Sequence, residues 1–282
     1  MRFFQPITLL VLLAGLGFAQ ERKPAPVLAQ KQLGKNACGP CAFVNSLTQA
    51  MSDAALKKLS GTNALQKAET FATVYGGVES MVYGPARTAY HAKHGIAHKD
   101  LLMIANRFAA DADLPLFARE LVRRNDKETP SAFLSRFERT INESIKAGFP
   151  PVLGVRSVAA SKKDGAKIIQ WHTISGHWVS VVGVERPSPD EDMLLMRFAD
   201  SLSGKILTGL VHFEPRNAVI PMTFTLNEKG KEQWTWIPAN KGLFLSAPSM
   251  PMGTERAQWY QRSYLSLRGL IHLAPGDGEA VP

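Results

Sequence analysis

Both cysteines of the chain lie in one short stretch, Gln32-Leu-Gly-Lys-Asn-Ala-Cys38-Gly-Pro-Cys41. A cysteine nucleophile needs a base for its proton, a group that orients the base, and donors for the oxyanion it creates. Each part has a candidate. From Pro40 onward, Phe43, Leu47, Met51 and Ala54 recur at spacings of three to four, which is one face of a helix. Gly39-Pro40 suits the entry, because proline in the first turn gives up no needed hydrogen bond. Cys38 is therefore expected at the helix N-terminus, where unpaired N–H groups and the positive dipole end favour a thiolate. Two apolar runs, Gly176–Val184 and Met193–Asp200, flank the polar, proline-bearing turn Glu185–Asp192. A hairpin centred between Ser188 and Pro189 sets His177 directly across from Asp200, with Cβ atoms about 4.5–5.5 Å apart. The carboxylate would then orient the imidazole. A slip of one residue would send the two to opposite faces. Gln32, six residues before Cys38, offers its amide to the oxyanion.

The elements that must hold these residues change character along the chain. Helical periodicity is expected over Asn63–Tyr75, Ala86–His94, Lys99–Ala110, Pro115–Arg124 and Pro130–Ala147, the last capped by Thr129 and closed by Gly148. Beyond the Phe149-Pro150-Pro151 break the period is that of strands, beginning with Pro151–Val155. After Lys205 come short β-like runs separated by turns, a helix near Thr254–Arg262 and a Gly/Pro-rich tail. Helices first and antiparallel strands second predict an α+β fold.

Taken together, Gln32-x5-Cys38-Gly-Pro, Gly176-His177-Trp-Val-Ser-Val-Val-Gly183 and Phe198-Ala-Asp200-Ser-x-Ser-Gly204 resemble the papain-like cysteine peptidases. Within them the chain is most similar to stand-alone relatives of the bacterial double-glycine leader (bacteriocin-processing) peptidases. The segment Gly148-Phe-Pro-Pro-Val-Leu-Gly-Val155 resembles the stretch before the histidine strand of that branch. The resemblance spans about residues 30–204. It implies a papain-like fold, with a helical half opening on the nucleophile helix and an antiparallel β half. It also implies a thiol hydrolase acting on peptide or protein, with Cys38, His177, Asp200 and Gln32 as nucleophile, base, orienter and oxyanion donor, and leaves acyl or peptidyl transfer open. Ser201 departs from the branch, which has proline there, and no P-loop follows. The expected organisation is a signal peptide over 1–19, a flexible lead-in over 20–31, the peptidase domain over 32–204, and a β-rich extension with a disordered tail over 205–282.

Two other functional classes stay open. Cys38-Gly-Pro-Cys41 also matches the dithiol of thioredoxin-like oxidoreductases, although the polar segment Ala29–Ala37 holds no strand before it. A disulfide between the two cysteines would silence the nucleophile until it is reduced. Cys41 is itself the alternative nucleophile, since papain has Cys-Gly-x-Cys with the second cysteine reactive. A catalytically inactive binding module is the remaining class.

Arg2 followed by the apolar run Ile7–Phe18 and Gly17-Phe18-Ala19 predicts a secretory signal peptide cut after Ala19, hence a secreted or periplasmic protein with no stable membrane insertion afterwards. The 282 residues carry 45% hydrophobic and 20% charged side chains and a net charge of +9. That charge is scattered in short pairs such as Lys57-Lys58 and Arg123-Arg124, so no nucleic-acid partner is expected. His91, His94 and His98 have helical spacing, but Gly95 interrupts them and no carboxylate or cysteine completes a set. Neither a metal nor a cofactor is expected.

Overall fold

The computed structural model describes residues 24–50, 53–161, 169–188, 191–214, 217–252 and 260–274. The expected signal peptide and the tail after residue 274 lie outside these residues.

The first half is built on α1 (Cys38–Gln49), whose residues Cys41, Phe43, Val44 and Leu47 are fully buried or nearly so. Phe43 stacks on Phe71 at 4.2 Å between ring centroids and meets the edge of Phe108 at 5.5 Å. Around it lie α2 (Asp53–Lys58) and α3 (Ala64–Thr70), the latter capped by Asn63 and continued by a π turn over Phe71–Tyr75. The lead-in is tied to α1, because the Leu28 N–H donates to Asn45 Oδ1 at 2.8 Å and the Leu28 carbonyl accepts from Asn45 Nδ2 at 3.2 Å.

Four short strands follow, β1 (Glu79–Ser80), β2 (Gly84–Thr88), β3 (Tyr90–His91) and β4 (Gly95–Ile96). The helix expected over Ala86–His94 is thus replaced by two small hairpins. Gly95, expected to end that helix, instead has φ +74° where β4 turns back on β3. Next come α4 (His98–Asp111) and β5 (Phe117–Leu121). The latter lies where a helix was expected over Pro115–Arg124, and ladder pairing with a distant strand overrides its local preference. Helix α5 (Pro130–Lys146) forms as expected, with Thr129 Oγ1 accepting from the Ala132 N–H at 3.2 Å.

The strands of the second half are β6 (Val152–Ser161), β7 (Ile169–Gln170), β8 (His172–Glu185), β9 (Met193–Asp200) and β10 (Lys205–Phe213). They continue with β11 (Ala218–Leu226), β12 (Glu232–Pro238), β13 (Leu243–Ser246) and β14 (Tyr260–Leu273). The large sheet runs β13-β10-β9-β8-β6-β14-β5, and β13 also pairs with β14 through Phe244 opposite Ser266 and Leu245 opposite Leu265. Six antiparallel strands therefore close into a barrel, with β5 added outside on β14.

This corrects the expected papain-like α+β architecture of a helical half opening on the nucleophile helix beside an antiparallel β half. The fold is a closed barrel and holds more strand than helix. The strand responsible is β14, in a region expected to be mainly tail; residues 254–259 of the helix expected near Thr254–Arg262 lie outside the described residues, and 260–262 begin the strand. Its alternation of Leu265, Leu267 and, past a bulge, Leu270 carries apolar side chains to one face, so it can pair on both edges and complete the closure. The barrel cluster joins Leu153, Val155, Val179, Val181, Phe198 and Leu267 with Phe133, Phe137 and Ile141 of α5. Val152 and Trp178, on the other face of β6 and β8, pack against α1. The smaller sheet β12-β11-β7 stands beside β6 and β14. Among the described residues no helix is long and apolar enough to cross a membrane.

Candidate active site

Cys38 is the first residue of α1, and its N-cap Ala37 supplies no side-chain cap. The first N–H groups of the helix therefore point out of its end without intrahelical partners. The close approach of α1 to β4 requires Gly39, because a Cβ there would stand 2.3 Å from Ile96 Cγ2. The Trp178 indole donates to the Ile96 carbonyl at 3.4 Å and ties the same loop to β8.

His177 Nε2 lies 2.7 Å from Asp200 Oδ1, and both side chains are buried. The second ring nitrogen, Nδ1, does not bond Asp200, and Cys38 lines the same cleft as the imidazole, near enough to act on its charge. Burial by itself would lower the His177 pKa. Hydrogen bonds to Asp200 and Cys38, and the negative charge of both, outweigh it and raise the value to about 9. Burial likewise works to raise the Asp200 pKa, but the bond to His177 and the contacts of Ser203 hold it below the usual carboxylate value. The N–H groups of Leu202 (3.1 Å) and Ser203 (2.9 Å) both donate to the Asp200 carboxylate, so it cannot rotate away. Cys38, His177 and Asp200 are thus brought together, in an arrangement that could serve a nucleophile, a base and its orienter.

The register that does this differs from the expected one. Asp200 lies opposite Val179, two residues from His177, rather than opposite His177 itself. Nearer the turn, Gly183 pairs with Arg197, Val184 with Met196 and Glu185 with Leu195. That pairing, continued, would set Asp200 across from Ser180 and so on the face away from His177. A bulge between Val181 and Gly183 inserts Val182 and restores the parity. One extra residue thereby returns the carboxylate to the imidazole's side. The doubled Val181-Val182, which breaks the apolar alternation, is the sequence signal of that bulge.

Gln32 is exposed and does not line the cleft, whereas Gln30 is buried and does. The two sit in a 3-10 turn over Gln30–Gln32, where residues two apart point to different sides. Gln30 is a clamp. Its Nε2 donates to the Lys35 carbonyl at 2.7 Å, its Oε1 accepts from Ser201 Oγ at 3.0 Å, and its N–H donates to the Ser201 carbonyl at 2.8 Å. It ties the chain before Cys38 to the chain after Asp200. Ser201, the departure from the resembled branch, is half of that tie.

Cys38 and Cys41 are both free thiols. Cys41 is fully buried, and burial followed by the charge of Cys38 pushes its thiol up to about 12. His91 and His94 have ring centroids 4.9 Å apart, whereas His98 is half-buried against Trp178 at 4.4 Å. Among the described residues no three His, Cys, Asp or Glu side chains form a group that would hold a metal ion.

The cleft that opens on Cys38 and His177 has a volume of about 780 Å³. Among the described residues its lining includes Lys31, Lys35, Arg87, Arg156 and Arg268 and no Asp or Glu. Sequence reasoning missed Gln30, Arg156 and Arg268, and weighed His98 only as part of a metal face rather than as a lining residue of this cleft. For Arg268 a signal exists, namely a charge inside the apolar alternation of Leu265-Ser-Leu-Arg-Gly-Leu270.

Comparison of the chain with models of protein families, with curated proteins and with solved structures finds no match.

Proposed function

We propose that the chain is a thiol hydrolase that cleaves an amide bond of a peptide or protein outside the cytoplasm. The observation that carries this reading is the buried His177–Asp200 pair at 2.7 Å, with Cys38 beside the imidazole at the start of a helix. In the proposed reaction His177 takes the Cys38 proton, and the thiolate attacks the substrate carbonyl. The oxyanion meets the backbone N–H groups at the start of α1. Collapse of the tetrahedral intermediate breaks the C–N bond, and the imidazolium protonates the departing amine. Water then attacks the thioester with His177 as base, releasing the acid and restoring the thiol. An amine in place of water would give acyl transfer with the same residues.

The motif order that resembles the double-glycine leader peptidases supports this chemistry, and the expected signal peptide supports a secreted or periplasmic site of action. The dithiol reading is disfavoured by Cys41. A resolving cysteine must become a thiolate within reach of solvent, and burial opposes both.

The test is alkylation by an iodoacetamide probe under reductant near neutral pH. Labelling is expected to vanish in Cys38→Ala, slow at least tenfold in His177→Ala, and persist in Cys41→Ala. Labelling that is indifferent to His177, with either cysteine reactive, would overturn the proposal.

A further inference from the structure

The wall of the cleft contains two arginines with buried guanidinium nitrogens that have no hydrogen-bond partner among the described residues. Arg156 follows the apolar start of β6, and Arg268 stands within β14. The two strands pair with Arg156 opposite Ser266 and Val155 opposite Leu267, so the two arginines are close diagonal neighbours across the ladder. Arg268 is only 1% exposed. Its Nε and Nη2 have no hydrogen-bond partner among the described residues, and Nη1 reaches only the Met222 sulfur, at 4.0 Å. Arg156 keeps its Nη1 unpartnered while its guanidinium lies 4.6 Å from the centroid of the Trp234 ring. The acid whose charge supports Arg156 is Glu232, which also accepts from the Tyr83 hydroxyl at 3.0 Å. His98 adds a further buried nitrogen, Nε2, that has no hydrogen-bond partner among the described residues, to the same lining. The space for its ring exists because residues 154 and 269 are glycines; Cβ atoms there would stand 2.6 Å and 2.9 Å from His98 Nε2.

Two like charges held side by side and out of water are costly, and buried polar groups are otherwise almost always satisfied. A site that keeps them is built for an anion. We propose that Arg156 and Arg268 form a subsite of the cleft that binds a carboxylate of the substrate. The inference rests on the cleft being the substrate site of the proposed hydrolase. The free atoms select the ligand chemistry. Nε and Nη2 are the edge of a guanidinium that presents two parallel N–H bonds, which match the two oxygens of a carboxylate. Burial, then the charge of Arg156, presses the Arg268 pKa downward, and an anion between them would relieve that repulsion. A lysine could not replace Arg268, because an ammonium offers one point of charge rather than a fork.

The carboxylate could belong to an acidic side chain or to the end of a peptide, and binding separates the two. The protein is the Cys38→Ser form, which cannot turn over, so a failure here and a failure of the thiol chemistry are distinguishable. Calorimetry would compare acetylated penta-alanine amides carrying one Glu at each position, the matching Gln set, and acetylated penta-alanine with a free C-terminal carboxylate. At least a tenfold preference for one Glu peptide over its Gln counterpart assigns a side chain, and the same preference for the free acid over its amide assigns a terminus. Either preference should shrink with salt, disappear in Arg268→Met and weaken in Arg156→Met. Equal binding of acidic and neutral peptides to the unsubstituted arginine pair would overturn the proposal without any variant. A preference that survives both substitutions would do the same.

Discussion

Two buried polar regions meet in one cleft, and they are built on opposite terms. In the first, the charges are paired: His177 bonds Asp200 with Cys38 beside the ring, and Asp200 takes two further backbone donors. In the second, Arg268 and Arg156 crowd each other and leave guanidinium nitrogens without a hydrogen-bond partner among the described residues. A satisfied network is rigid, and rigidity is what a proton-transfer geometry requires. An unsatisfied pair of cations is unstable by itself, and its retention makes sense when a ligand completes it. Under the proposed function, the contrast separates a part that would perform chemistry from a part that would recognise its substrate.

The sharpest way to break this contrast is to remove one charge from each region and compare the signs. Asp200→Ala leaves a buried imidazole without its acceptor and should cost about 3–5 kcal/mol of stability, as broken buried pairs do. Arg268→Met replaces an unpartnered buried cation with an apolar chain of similar length and should stabilise the protein by about 1–4 kcal/mol. Denaturant unfolding of the two variants measures both. Shifts of the same sign would show that the regions are not opposites.

A smaller effect follows from pH. The folded His177 pKa, about 9, lies above the roughly 6.5 of an unfolded histidine. Its contribution to stability is therefore fully present below about pH 6.5 and is lost as pH rises through about 9. Wild type minus His177→Gln, followed by thermal melts from pH 6 to 10, should show a difference that declines through the upper part of that range. Hydrolysis should fall over the same limb, because the leaving amine needs the imidazolium proton. Asp200→Asn should move the limb to lower pH.

The smallest effect is expected at Cys41. Its buried, raised thiol takes no step in the proposed reaction, so Cys41→Ala should change stability by about 1 kcal/mol and leave alkylation of Cys38 within twofold. A large fall in labelling would instead tie the second thiol to the first.

Cys38 at the start of a helix, the helices over Pro130–Lys146 and His98–Asp111, and the strands that carry His177 and Asp200 were all legible in the order of residues. These are local properties: a period of apolar side chains, a cap, a glycine and proline at a turn. The His177–Asp200 partnership was legible as well, although by a register that the bulge at Val182 replaces with another of the same parity. What the sequence could not determine depends on segments far apart in the chain. Closure of the barrel needs β14 to find β6 and β13, and β5 becomes a strand only because β14 offers it a ladder. Gln30 rather than Gln32 meets the cleft because its partner, Ser201, arrives from the end of β9. Arg156 and Arg268 become neighbours only when their strands pair, more than a hundred residues apart in sequence. Periodicity reports which side chains share a face, whereas only strand pairing and packing decide what that face meets.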